Sequence, residues 1–159
     1  MLWTTLLCVF TTGAAQADIT GRVVSISDGD TVTVMTENYV PHKIRLSGID
    51  APEKGQAFGQ RSKQNLSDLI YNKAVRVEER TTDRYGRIVG LIWLDDKDIC
   101  LQQIVDGYAW HFKKYQKSQP QTERILYSQT EIQAREAKKG LWLDADPIPP
   151  GDWRKGRKE

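Results

Sequence analysis

The chain switches between two hydrophobic rhythms, a period of two and a period near 3.6, and the switch points mark its elements. Val23, Val24 and Ile26 make Ile19–Ile26 a strand. Asp28-Gly29 is a tight-turn signal, and Val32 and Val34 share one face of a second strand, Thr31–Met35, beyond it. In residues 42–46, Ile44 and Leu46 alternate with Lys43 and Arg45, so Arg45 points away from the apolar face. Gly48, Pro52 and Gly55 punctuate a loop over residues 47–55. The rhythm then lengthens. Phe58, Leu66, Leu69 and Ile70 fall in one stripe of a helix that ends near Asn72. Residues 74–80, with Val75 and Val77 inward, and the apolar run Ile88–Leu94 are two more strands. A loop over residues 81–87, closed by Tyr85-Gly86, separates them.

The remainder is helical. Asp98 caps a short helix in which Leu101, Ile104, Val105 and Tyr108 share a face, and Gly107 stops or kinks it. A longer helix spans residues 122–139; Lys138 and Lys139 suit its negative end and Gly140 its stop. Leu141-Trp142 fold back onto the core. Residues 146–151 carry no helix or strand signal, and the basic tail beyond them is expected to be mobile. Five strands, a helix inserted before the fourth and helices at the end describe an α+β domain. A closed five-stranded barrel of the oligonucleotide-binding (OB) type fits this order, and so does a small open sheet with helices on one side.

Composition narrows the picture modestly. The net charge of +2 suits an anionic partner without demanding one. Basic residues gather at Arg84 and Arg87, at Lys113, Lys114 and Lys117, and in the tail at Arg154, Lys155, Arg157 and Lys158. Residues 2–10 form a short apolar run followed by Ala15-Gln16-Ala17, the mark of a secretory signal peptide over residues 1–17, although no Lys or Arg precedes the run. The run is too short and broken to span a membrane. The expected organisation is therefore a signal at 1–17, one domain at 18–145 and a Pro-rich basic tail at 146–159. Export to the periplasm or the medium follows, as a monomer without stable membrane insertion. Cys8 leaves with the signal, which leaves Cys100 as buried filler and no intramolecular disulfide.

Candidate chemistry sits at the turns. Asp28 and Asp30 open the second strand, and Asp50 and Glu53 share a loop in which Pro52 fixes the backbone and biases Ala51 to an extended form. Two carboxylates, the Ala51 carbonyl and water make an oxygen-only shell, which suits Ca²⁺. Only two histidines, His42 and His111, and few cysteines argue against zinc. Arg45 and Arg87 carry guanidinium forks that match phosphate oxygens two at a time. Tyr85, beside Arg84, offers a ring on which a base or sugar can pack. Taken singly, each is what an ordinary solvated turn provides; the ordered set is what points to phosphodiester chemistry. A glycoside hydrolase with paired acids leaves both arginines without a duty. A barrel that binds nucleic acid without cutting it does not require all five of Asp30, Arg45, Asp50, Glu53 and Arg87.

Asp28-Gly29-Asp30-Thr31, Ile44-Arg45-Leu46, Ile49-Asp50-Ala51-Pro52-Glu53, Thr82-Asp83-Arg84-Tyr85-Gly86-Arg87 and Lys139-Gly140-Leu141-Trp142 together resemble the thermonuclease, or staphylococcal-nuclease-like, family. The resemblance runs from about Ile19 to Trp142. It implies a five-stranded OB-fold β-barrel with three helices and calcium-dependent hydrolysis of DNA and RNA at the bond between phosphorus and the 5′ oxygen. It also implies roles. Asp30, Asp50 and the Ala51 carbonyl hold Ca²⁺, with Asp28 behind them. Arg45 and Arg87 clamp the phosphate, and Glu53 positions the attacking water. Arg84, Tyr85, Lys113 and Tyr115 bind substrate. Two departures bear on this: Ala51 replaces a hydroxylated residue, and Lys113 stands where an aromatic commonly lines the nucleotide pocket.

Overall fold

The structure, a computed structural model, describes residues 18–156; the signal peptide expected over 1–17 lies outside the described residues. Three strands open the domain: β1 (Ile19–Ile26), β2 (Thr31–Met35) and β3 (Pro41–Leu46). β1 and β2 pair antiparallel across the Asp28-Gly29 turn, and β2 pairs antiparallel with β3. A two-residue strand, β4 (Ile49–Asp50), lies in the loop that follows, and then comes helix α1 (Gly59–Ile70). β5 (Ala74–Thr82) returns beside β1, and β6 (Ile88–Leu94) pairs antiparallel with β5. β6 then meets β3 in parallel, with Ile44 opposite Ile88, Arg45 opposite Val89 and Leu46 opposite Gly90. That last pairing closes the five long strands into a barrel, which decides between the two architectures the sequence allowed.

Period-two burial holds where it was expected. Val23, Val32, Val34, Ile44, Leu46, Val75, Val77 and Ile92 fill the barrel. Asp98, from the short strand β7 (Lys97–Asp98), caps helix α2 (Ile99–Val105): its carboxylate accepts the Leu101 amide at 3.0 Å. α2 packs against β6, α1 and the long helix α3 (Gln121–Glu136). Cys100 is fully buried. Leu141 and Trp142 do fold back, forming a second cluster with Trp110 and Ala134.

Several boundaries differ from the sequence expectation. The buried face of α2 is Ile99, Cys100, Gln103 and Ile104, not Leu101, Val105 and Tyr108. The helix starts directly after its cap, and Gly107, at φ 75°, turns the chain away before Tyr108. Gln103 is buried because its amide donates to the carbonyls of Gly29 (2.7 Å) and Ser62 (3.2 Å). α3 ends at Glu136 rather than at Lys139, because Lys138 already adopts a positive φ of 50°. β4 pairs with β8 (Trp110–His111), a contact with no local pattern to announce it. The tail is not a mobile coil over its described length: Pro150–Gly156 forms a short helix, α4, with Pro150 at its first position. This is a fourth helix beside the expected three.

Candidate active site

The β1–β2 turn is pressed against α1. Gly29 has no room for a side chain, because any Cβ there would run into Ser62 and Ala51. Ser62 is itself fixed, its hydroxyl donating to the Tyr108 carbonyl at 2.7 Å. The turn therefore presents Asp30 at one fixed place. One oxygen of Asp30 accepts the Ala51 amide at 2.8 Å and the other accepts the Thr31 hydroxyl at 3.1 Å. Asp28 lies behind it and accepts the Asp30 amide at 3.1 Å. Burial, and then the negative charge of Asp30, push the Asp28 carboxyl up to about 6.

Arg45 bridges the two acidic loops. Its Nη2 lies 3.2 Å from Asp30 Oδ2 and 3.3 Å from Asp50 Oδ1. The same guanidinium donates to the carbonyls of Leu46 (2.6 Å) and Ile49 (2.9 Å), so four acceptor groups fix its plane. Phe112 covers it, with the guanidinium carbon 5.9 Å from the ring centroid. Asp50 and Asp30 are both nearly buried, with side chains 7% and 10% exposed. Burial raises the Asp50 carboxyl from its ordinary value, against the hydrogen bond it receives from Arg154.

Arg87 stands at a more open edge. The turn at residues 83–87 is held by Asp83, whose Oδ1 accepts the amides of Tyr85 (2.9 Å) and Arg87 (3.0 Å) and whose Oδ2 accepts Arg87 Nε at 2.8 Å. Burial pushes the Asp83 carboxyl up, but these bonds from Arg87 and Tyr85 together outweigh it and lower it from its ordinary value. The remaining face of the Arg87 guanidinium is directed at the site, with Nη1 3.5 Å from Thr31 Oγ1. Thr31 in turn touches Asp30. Tyr85, exposed, carries Arg84 at 4.8 Å and Arg87 at 5.6 Å from its ring centre.

Asp30, Asp50, Arg45 and Arg87, with Ala51 between the acids, thus form one connected set. Glu53 joins it through a residue the sequence did not single out. Arg154, on α4, places Nη2 3.0 Å from Asp50 Oδ2 and Nη1 2.6 Å from Glu53 Oε1. Tyr115 lies in a 3-10 turn (Lys113–Ser118), edge-on to Phe112 at 4.9 Å, and so flanks the Arg45 side. Lys113 is drawn elsewhere, into an ion pair with buried Glu131 on α3. Thr31 and Asp83, quoted only as parts of motifs, and Phe112 were given no role from the sequence. The first two were visible in principle, as the residue after Asp30 and as the Asx-type opening of the 83–86 turn.

A closed barrel with carboxylates and guanidiniums gathered at one rim is a nucleic-acid-binding scaffold carrying phosphodiester chemistry. Comparison with known proteins agrees. The staphylococcal nuclease homologue family matches residues 43–144. An uncharacterized endonuclease of Haemophilus influenzae is 41% identical over 160 residues, covering 99% of this chain and 86% of its own. A micrococcal nuclease of Shigella flexneri is 38% identical over 153 residues, covering 91% of this chain and 85% of its own. An uncharacterized endonuclease of Escherichia coli is 41% identical over 150 residues, covering 94% of each. The chain belongs to the staphylococcal nuclease homologue family, and it is a hydrolase of the nuclease class.

Proposed function

We propose that the protein is an exported, monomeric, calcium-dependent nuclease that hydrolyses DNA and RNA at the P–O5′ bond. The observation that carries this reading is the unbroken chain of contacts from Arg87 through Thr31, Asp30 and Arg45 to Asp50, with Glu53 one guanidinium further on. Export rests on the apolar segment at residues 2–10 and the small-residue site after it. Among the described residues, no helix is long and apolar enough to cross a membrane.

The donor chemistry fits a hard divalent cation. Asp30 and Asp50 supply oxygen and are close enough to share one guanidinium nitrogen, and Ala51, its amide held by Asp30, would add its backbone carbonyl. His111 is committed to Gln119, at 2.8 Å, and Cys100 is buried among apolar residues. Among the described residues no group of three or more His, Cys, Asp or Glu is arranged around one point, so backbone oxygen, water and substrate would complete the shell. Burial, with added negative charge from Asp30, raises both Asp28 and Asp50 from their ordinary values. When bound, Ca²⁺ would neutralise a non-bridging phosphate oxygen and lower the cost of approach by a nucleophile.

The side chains supply the rest. Arg45, its plane fixed by two carbonyls and two carboxylates, presents charge toward the phosphate without reorganising. Arg87, steered by Asp83, stabilises negative charge on the equatorial oxygens and on the departing 5′ oxygen. Glu53 orients the attacking water in line with the P–O5′ bond that breaks, and the proton the water gives up returns through solvent to the departing 5′ oxygen. Arg84 and Tyr85 line the outer side, where a base or sugar can stack on an exposed ring. End-group analysis of digests tests the reading. P–O5′ cleavage leaves 3′-phosphate and 5′-hydroxyl ends, and excess chelator stops the reaction. Ends of the opposite kind, or full turnover in chelator, would refute it.

A further inference from the structure

The C-terminal segment returns to the acids it follows by a hundred residues. Gln56, from the loop that carries Glu53, donates its amide to the Ile148 carbonyl at 2.5 Å. Pro150 is buried at the start of α4. Trp153 lines one cleft with Phe58, Trp110 and Leu141. From that anchor Arg154 reaches both oxygens of Asp50, at 3.3 and 3.0 Å, and Oε1 of Glu53 at 2.6 Å. The guanidinium thus covers the carboxylate proposed above to hold the metal and the one proposed to orient water.

Two cations do not share one carboxylate pair without repulsion, and with Arg154 on both oxygens of Asp50 and Arg45 on Oδ1, three of its four acceptor sites already face guanidinium. Resting on the metal reading given above, we propose that α4 is a built-in lock. Arg154 docked on Asp50 and Glu53 holds the nuclease in a latent state, and a divalent cation must displace it before the site can work. The lock is built to open. Arg154 and Glu53 are 43% and 38% exposed, so their pairing is screened by solvent. Docking also buries the Trp153 indole N–H without a hydrogen-bond partner, which weakens the anchor. A closed fraction lowers apparent metal affinity by the fraction of molecules left open.

The full chain and its Arg154→Gln variant, free of nucleic acid, distinguish the possibilities by calorimetric titration with calcium and by hydrogen exchange over residues 148–156. The lock predicts that the variant binds calcium more tightly, about tenfold for a site closed in nine molecules of ten. It also predicts that saturating calcium speeds exchange of α4 in the unaltered chain. Equal or weaker binding by the variant, or an α4 that stays protected at saturation, would overturn the lock alone and leave Arg154 as a fixed member of the site. Calcium binding by neither protein would overturn the metal reading and the lock with it.

Discussion

The floor of the site and its outer lip are built by opposite strategies. On the floor, Asp30 and Asp50 are buried and Arg45 half-buried; Arg45 donates to two backbone carbonyls and Asp30 accepts a backbone amide, so the chemistry is also part of the scaffold. On the lip, Arg84 and Tyr85 are exposed, and Arg87 is held by Asp83, the Tyr85 ring and a long contact to Thr31. The floor cannot be altered without disturbing the fold, whereas the lip can be. A loss of activity therefore means something different in each region, and only the lip reports on catalysis alone.

The sharpest way to break this contrast is Arg45→Ala. It should abolish turnover and destabilise the protein by about 3 kcal/mol, because two buried carboxylates lose their shared partner. An unchanged melting curve would show that the floor is not structural. Arg87→Ala comes next. Turnover should fall a hundredfold or more, as when one charge-stabilising donor is lost, while stability stays within about 0.5 kcal/mol. A melting loss as large as that of the Arg45 variant would erase the distinction. Tyr85→Ala should raise KM about tenfold at constant kcat, the loss of one stacking surface; a fall in kcat instead would move Tyr85 from binding to chemistry. The smallest effect is expected at Asp28. Burial and the charge of Asp30 push its carboxyl up to about 6 from the ordinary 3.8, so between those values the folded protein keeps a proton that the unfolded chain has already released. Stability therefore falls as pH rises through that window, and the loss is complete above it. Asp28→Asn should stabilise the metal-free protein by on the order of 1 kcal/mol at pH 8 and leave it unchanged at pH 4. Equal melting shifts at both values would contradict the assignment.

What the sequence made legible follows the same division. The strands announced themselves because one face of each is buried, and alternation in residues 42–46 correctly turned Arg45 away from Ile44 and Leu46. The ordered motifs named the acids and arginines that the fold gathers. Closure of β3 onto β6 was not legible, since a parallel pairing between residues so far apart leaves no local trace. Nor was Arg154. α4 is seven residues long, lacks an apolar stripe, and gains its position from contacts more than a hundred residues away in the chain. Lys113 was read from its place in a basic cluster and from the resemblance, neither of which shows that Glu131, buried on a later helix, engages its charge.

The parallel seam between β3 and β6 has one more result. Everything from Arg45 to Arg87 begins and ends on neighbouring strands, with an arginine at each end, and lays β5 into the barrel wall on the way. Asp50, Glu53, α1 and Tyr85 all travel on it, while Asp30 and Thr31 stay behind on the wall. The stretch is a cassette in the genetic sense. Recombination at its two ends exchanges a barrel strand along with the acids, so the incoming β5 must also pair with β1.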